Sequence, residues 1–309
     1  MRKSAAAAAV LLAAACHSTK PAAPLAPPPP AMVAGGGEAA VRDAGVRQDD
    51  AAVRAEAAWL RREVNPAALD EAIALWEEAA LASADPAAPL LDAARARRER
   101  IERARRGPLP EVAGIAADAQ VCASDAHRSW AAQFPAAAAQ LDGTHEAAEV
   151  YAQIGPPAAE ALYLEAVCAA AWARMQGFTQ LIERRVELAA SQQRVAQLAP
   201  ELDGAGAERE QGTLLAALPA YAGGDLPEAR RHLAAALQRA PADARNHLAL
   251  ARTVAVKAQD RALFEQQLAL VAKGDDAVAA AEAAALLQRE DELFGPAEAA
   301  QPVPGGTQR

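Results

Sequence analysis

Aromatic residues are scarce in this chain of 309 residues. Four tryptophans, three tyrosines and four phenylalanines make up only 4% of it, although 52% of the sequence is hydrophobic. Much of that hydrophobic content is alanine, which favours helices and close helix contacts but adds little volume to a core. The composition therefore predicts an all-α protein whose helices pack closely together.

An excess of basic residues is also missing. The chain has 31 basic and 40 acidic residues, with a formal net charge of -9, which argues against binding nucleic acid through phosphate neutralisation. The one arginine-rich segment, residues 95–106, contains Glu99 and Glu102 and no aromatic residue for base stacking. We interpret this segment as a solvent-exposed helix face, in preference to a site for an anionic ligand.

The residue patterns typical of enzymes and metal sites are absent from the sequence. The three cysteines and five histidines show no Cys-x2-Cys or His-x3-His spacing. No Gly-x-Ser-x-Gly elbow and no phosphate-binding glycine loop occurs either. We therefore predict no metal, no cofactor and no catalytic residues, and we expect that the protein is not an enzyme.

The first 16 residues read MRKSAAAAAVLLAAAC. Two basic residues precede an apolar run that is much shorter than the roughly 20 residues of a membrane-spanning helix. The ending resembles a bacterial lipobox, which predicts a signal peptide cut before Cys16 and a lipid on that cysteine. The alternative is an ordinary secretory signal with an incidental cysteine. His17 follows the cysteine, and the absence of aspartate there favours outer-membrane anchoring that faces the periplasm.

Three further segments follow the signal. Residues 17–48 contain runs of proline and glycine, which form extended or flexible linkers, so they predict a disordered tether. Residues 49–295 carry the helical patterns and form the predicted domain. The tail, residues 296–309, is rich in proline, glycine and glutamine and is predicted to be disordered.

A helical pattern recurs within the domain. After the turn at Gly223–Asp225, one helix carries residues 229, 233 and 236 at the spacing of an apolar stripe, and residues 72, 76 and 79 repeat that spacing. A weaker third copy includes residues 264, 268 and 271. Such units cannot bury their apolar faces alone and therefore stack. The pattern predicts a superhelix of degenerate, tetratricopeptide-like α-α repeats with about a dozen helices.

Two cysteines remain once Cys16 is set aside. An even number of cysteines in an oxidising compartment indicates a disulfide, here between Cys122 and Cys168. The alternative is a pair of buried free thiols.

Six aromatic residues are candidates for an inner groove or pore between the helices. Packing in the core is the alternative for each of them, because large side chains are few in this interior. The candidates are Trp130, Tyr151, Tyr163, Trp172, Phe178 and Tyr221.

The lipobox, the motif around Leu218-Pro219 and Gly223–Asp225, and the ending Leu286-Leu287 to Phe294 together resemble one family. The chain looks like a TatT-type T component of tetratricopeptide-repeat-associated TRAP transporters, over residues 50–295. The resemblance implies an all-helical periplasmic lipoprotein that is not an enzyme. It also implies a periplasmic solute-binding protein as partner, a role in solute uptake, and handling of a small, partly hydrophobic solute.

Two other functions stay open at this point. One is a general repeat adaptor for cell-envelope assembly or outer-membrane biogenesis. The other is a periplasmic hydrolase, which no motif supports. The sequence allows a homo-oligomer and does not identify the solute.

Overall fold

The computed structural model describes residues 38–106, 112–141 and 144–295, and these contain helices and no strand. The predicted signal with Cys16, residues 17–37 of the predicted tether, and the tail lie outside the described residues. The first helix begins at Glu38, so residues 38–48 are helical although the sequence analysis assigned them to the tether. Their alanine, glutamate, arginine and glutamine residues are good helix formers.

Fourteen α-helices occur in the described residues, close to the dozen expected. None of them is both long and apolar enough to cross a lipid bilayer. Their bounds are α1 Glu38–Arg61, α2 Ala67–Ala82, α3 Ala87–Arg106, α4 Val112–Gln133, α5 Pro135–Ala138, α6 Ala147–Ala152, α7 Ala159–Gln176, α8 Phe178–Leu198, α9 Gly206–Ala217, α10 Leu226–Arg239, α11 Ala244–Leu250, α12 Arg261–Ala272, α13 Ala277–Gln288 and α14 Glu290–Phe294. Short 3-10 turns precede α7 and α10, and a π-helical turn extends α11 to Ala255.

The long helices pack in chain order. Helices α1 to α4 contact one another in succession, α4 contacts α7, and the series continues through α8, α9, α10, α11, α12 and α13. Short connections make neighbouring helices into hairpins, as in other repeat folds. The all-α helical-repeat architecture predicted from the sequence is confirmed.

The recurring sequence positions share one structural role. Ala229, Leu233 and Ala236 of α10 are fully buried, and their counterparts 72, 76 and 79 of α2 are at most 4% exposed. Residues 264, 268 and 271 of α12 are buried as well. Helices α10 and α2 therefore bury the same small-large-small stripe, and α12 buries larger side chains at the equivalent spacing.

The turn before α10 requires both of its glycines. Gly223 has a φ of 89°, in the left-handed region that favours glycine. A Cβ added to Gly224 would lie 2.0 Å from the carbonyl oxygen of Leu218, so no larger residue fits there. Asp225 then begins α10 by accepting a hydrogen bond from the backbone N–H of Glu228 at 2.9 Å. Pro219 is accommodated because it lies in the bend before this turn and outside both helices.

The segment that ends with Leu286-Leu287 to Phe294 forms two helices. Asp276 caps α13 by accepting hydrogen bonds from the backbone N–H groups of Val278 and Ala279. The helix ends at Gln288, and the short helix α14 follows after Arg289. This break lets Phe294 turn back onto the buried ring of Phe264, with ring centroids 5.1 Å apart.

Candidate functional site

Four helices, α3, α7, α9 and α11, run parallel to one another, and we call them the inner helices. Arg95 of α3 donates to Glu160 of α7 at 2.6 Å, and the Arg98 guanidinium lies 5.3 Å from the centre of the Tyr163 ring. Both pairs are separated by 65 residues in the sequence. A constant separation means that α3 and α7 lie side by side and run in the same direction. Arg209 of α9 donates to the Tyr163 hydroxyl at 3.2 Å and extends the alignment to a third helix.

Helix α11 is the fourth of the inner helices. Arg209 also donates to the side-chain oxygen of Asn246 at 3.0 Å, near the start of α11. At the other end of α11, the Nζ atom of Lys257 donates to the carbonyl oxygens of Ala216 and Leu218, at 2.6 and 2.8 Å. Helices α3, α7, α9 and α11 therefore run in one direction, and their C-terminal ends lie on one side of the molecule.

A cavity of about 360 Å³ lies between the middle and C-terminal half of α3, the start of α7, the loop before α9, the start of α11 and the end of α1. Its volume is in the range of small-molecule sites. Seven of the nine lining side chains are charged, and only Trp59 and Leu164 are apolar. The lining consists of Trp59, Arg95, Arg98, Glu99, Glu102, Glu160, Leu164, Asp203 and Arg245. This composition suits a polar solute with charges of both signs better than the partly hydrophobic solute expected from the sequence.

Asp203 is the centre of the ionic network beside this cavity. Its carboxylate accepts from Arg98 at 2.7 Å, from Arg209 at 2.7 Å and from Arg245 at 2.6 Å. The hydroxyl of Tyr163 donates to the same carboxylate. One carboxylate thus links α3, α7, α9 and α11.

The charge of Asp203 is strongly favoured in the folded protein. Its partial burial by itself would raise the pKa, but the positive charges of Arg98, Arg209 and Arg245 outweigh this and lower the pKa well below the ordinary range. Asp203 has a φ of 54°, in the left-handed region, which aspartate and asparagine tolerate better than most residues. The loop before α9 therefore holds a carboxylate where three arginines converge.

Apart from the exposed Arg105, the described arginines of α3 pair with carboxylates, most of them on other segments, so the interpretation of this segment as a solvent-exposed face was wrong. Arg97 is 8% exposed, and its guanidinium contacts Glu77 of α2 and Asp125 of α4. Arg100 bonds Asp118 of α4, and Arg103 bonds the carbonyl oxygen of Arg62 at 2.8 Å. The physical reason is that α3 packs against α2, α4 and α7, and carboxylates and carbonyls from these and other distant segments surround it.

A second polar cluster lies between α4 and α7. Glu165 is 8% exposed; one of its oxygens lies 3.0 Å from Nδ1 of His127, and the other accepts from the indole N–H of Trp130. Burial alone would lower the pKa of His127, but the carboxylate of Glu165 outweighs it and raises the pKa. Both oxygens of the buried carboxylate are thus satisfied, and the cluster fastens the two helices together.

The six aromatic candidates do not share one groove. Trp130, Tyr151 and Tyr163 are buried, and Trp172 lies beneath the guanidinium of Arg184. Trp130 and Tyr151 meet edge to face with centroids 6.2 Å apart. In contrast, Phe178 is 46% exposed and Tyr221 is 85% exposed. Only the Tyr163 side chain touches a residue that lines the cavity, through Asp203 and Arg98.

Most of the residues that line the cavity were not predicted from the sequence. Trp59 is the aromatic residue that lines it, and the charged residues at 95, 98, 160, 203 and 245 supply most of the remainder. The one local signal was the Asp-Gly-Ala-Gly loop beginning at residue 203, which resembles any polar turn. The partners that give Asp203 its role are distant in the sequence.

Cys122 of α4 and Cys168 of α7 are joined in the structure, with Cα atoms 5.9 Å apart. This separation is typical of disulfides. Both residues lie in the main core cluster, at most 1% exposed. Within the described residues, no group of three or more histidine, cysteine or acidic side chains is placed to hold a metal ion.

Comparison with known proteins identifies one family. The sequence model of the TRAP transporter T-component family matches residues 86–294, which is more than half of the chain and includes α3 to α14 with most of the cavity lining. Helices α1 and α2 lie before the matched range. A search of curated proteins finds no match.

Proposed function

Because the chain belongs to the family of TRAP transporter T-components, we propose that it is a non-enzymatic scaffold that binds the periplasmic solute-binding protein of its transport system. The family makes the protein an accessory component of a TRAP-type system, acting at the cell envelope. A transporter accessory needs a docking surface and no catalytic machinery. The observation that carries the proposal is the family match over the inner helices of the repeat fold.

The fold is compatible with a docking role of this kind. Stacked helical hairpins form extended concave surfaces that bind proteins or small ligands. In this chain α3, α7 and the start of α11 line a cavity of about 360 Å³ with charges of both signs. We propose that a small polar solute enters this cavity when the solute-binding protein is docked, and that the tetratricopeptide-like stacking supplies the docking surface.

We expect the full-length protein, solubilised from envelopes with a detergent, to bind the purified solute-binding protein of its own TRAP system. Biolayer interferometry with the full-length protein immobilised measures this directly. A solute-binding protein of another transporter class is the control. Capture of an envelope-assembly factor, with no binding of the TRAP solute-binding protein, would favour the adaptor function and contradict our proposal.

We also propose that residues 1–16 are a lipoprotein signal, that Cys16 carries the lipid, and that residues 17–37 link it to the helical domain beginning at Glu38. The Cys16→Ala variant is expected to move from the membrane fraction to the soluble periplasmic fraction, because one covalent lipid anchor is removed. Immunoblotting of both fractions measures the shift. A Cys16→Ala protein that stays with the membranes contradicts lipid anchoring.

A further inference from the structure

The C-terminal ends of the inner helices present three arginines on one side of the molecule. The register that pairs residue 95 with 160 and residue 98 with 163 brings Arg105 level with residue 170, one turn from Arg174. Arg174 is on the last turns of α7, and Arg252 is on the π-helical turn that extends α11. We call Arg105, Arg174 and Arg252 the arginine rim.

The arginine rim is short of negative charge. Of the α3 arginines whose side chains the structure describes, those at 95, 97, 98, 100 and 103 all pair with carboxylates, whereas Arg105 has no such partner in the described chain. The nearest carboxylate of Arg174 is that of Glu210, at 3.7 Å. Arg252 pairs with the exposed Glu282 at 3.0 Å. The rim therefore contains an exposed arginine with no carboxylate partner among the described residues, an arginine 3.7 Å from its carboxylate and an arginine in an exposed ion pair.

Electrostatics agree with this geometry. Partial burial lowers the pKa of Arg105, and the positive charges of Arg174 and Arg252 lower it further, whereas Glu102 and Glu210 act in the opposite direction without reversing the shift. An arginine in the last turn of a helix is ordinarily stabilised by the helix dipole, by about 0.3–1 kcal/mol. That effect explains one such arginine, but it does not explain three arginines close enough to repel one another.

Two exposed aromatic residues lie at the same end. Phe178 begins α8 directly after α7 and Gly177, and Tyr221 lies in the 3-10 turn directly after α9. That turn contacts α8, since a Cβ added to Gly223 would lie 3.8 Å from Nε of Arg185. Arginine and tyrosine are enriched among the residues that dominate protein interfaces. The exposure of Tyr221, at 85%, is the largest of the aromatic candidates.

We propose that the arginine rim, together with Phe178 and Tyr221, is the surface that docks an acidic patch of the solute-binding protein. This inference rests on the proposed function and specifies where the partner binds and with what charge. The partner is acidic because an approaching carboxylate supplies the counter-ion that Arg105 lacks, and the aromatic rings add apolar contact area. An anionic lipid surface is a weaker fit, because three basic side chains contribute only about 1 kcal/mol each at a membrane.

The experiment measures the dissociation constant of the full-length protein and its TRAP solute-binding protein at several salt concentrations. Arg105→Glu is expected to weaken binding about tenfold at low salt and to reduce the dependence of the dissociation constant on salt. The reason is that a charge at the edge of an interface mainly changes the association rate, which depends on ionic strength. Tyr221→Ala is expected to weaken binding about tenfold or more, with unchanged salt dependence. Arg54→Glu is the matched control, because Arg54 is an exposed arginine of α1 whose side chain is 54% accessible.

Thermal unfolding checks that the variants remain folded, and Arg105→Gln repeats the test without a reversed charge. Binding that changes less than twofold in Arg105→Glu and Tyr221→Ala, while the unchanged protein binds, overturns the rim and leaves the proposed function intact. Loss of binding to anionic phospholipid vesicles in Arg105→Glu, without any effect on the solute-binding protein, overturns it in favour of a membrane surface. No binding by the unchanged protein overturns both.

Discussion

Asp203→Asn is expected to lower the free energy of unfolding by about 3 kcal/mol or more, measured by urea denaturation. The carboxylate of Asp203 accepts hydrogen bonds from Arg98, Arg209 and Arg245. Breaking a buried ion cluster is costly. Without Asp203, Arg98 keeps Glu102 and Arg245 keeps Asp243, whereas the nearest remaining carboxylate of Arg209 is that of Asp243, at 4.0 Å. The loss falls mainly on Arg209, whose side chain is 5% exposed and has the least access to water. Such a penalty is a large part of the total stability of an ordinary domain.

Asparagine isolates the effect of the charge. It has almost the shape of aspartate and also tolerates the left-handed backbone that residue 203 adopts. Asp70→Asn is the control, because Asp70 accepts from Arg100 at 2.7 Å but its side chain is 65% exposed. The control is expected to change stability by less than about 1 kcal/mol, as exposed ion pairs do. Equal losses in the two variants would contradict the central role of Asp203.

The effect of Asp203 depends on pH with a definite sign. The folded protein lowers the pKa of Asp203, so its contribution to stability is fully present above the unfolded pKa of about 3.9 and is lost as the pH falls towards the folded pKa. The difference between the unchanged protein and Asp203→Asn should therefore be constant between about pH 5 and 7 and shrink below about pH 4. A difference that grows on acidification would contradict this.

The repeat positions show why much of the fold could be predicted from the sequence. Helical spacing is a local property, so residues 229, 233 and 236 indicated a buried stripe without knowledge of any partner. The glycine turn at Gly223–Asp225 was equally visible, because a left-handed backbone and a helix cap each require a particular residue type. The resemblance to the T-component family and the helical periodicity predicted the same helical-repeat fold, because both depend on these positions.

The site could not be predicted in this way, because its contacts join residues that are far apart in the chain. Within α3, the sequence shows Glu99 and Glu102 near the arginines and so indicates a solvated helix. The carboxylates that matter lie elsewhere: Arg95 bonds Glu160, and Arg98 bonds Asp203, 105 residues away. Only the stacking of the hairpins decides which face of α3 is internal.

The aromatic candidates illustrate the same limit. Tyr163 and Tyr221 are the same residue type in similar alanine-rich surroundings, yet Tyr163 is 1% exposed and Tyr221 is 85% exposed. Tyr163 lies on α7, which has neighbours on several sides, whereas Tyr221 lies on a turn at the end of the inner helices. Residue type singled out both tyrosines as candidates, but position in the helical stack decides whether a ring packs in the core or is exposed.

Breaking the bond between Cys122 and Cys168 is expected to lower the free energy of unfolding by about 4 kcal/mol. The two cysteines are 46 positions apart, and on the chain-entropy model a loop of that size restricts the unfolded chain by about this amount. The folded protein should keep its helices, because α4 and α7 also meet through the core around Trp130 and through the carboxylate of Glu165.

Reduction of the otherwise unchanged protein is the cleaner of two tests. It breaks only the bond, whereas the double variant Cys122→Ala, Cys168→Ala also removes two buried sulfur atoms and leaves small cavities that cost further stability. Urea denaturation with and without a thiol reductant measures the first loss, and the double variant should lose as much or somewhat more. Because the bond is absent from the variant, reductant should leave its stability unchanged. Peptide mass mapping under non-reducing conditions that finds both thiols free would contradict the disulfide. In that case the reductant would not change the free energy of unfolding of the protein without substitutions.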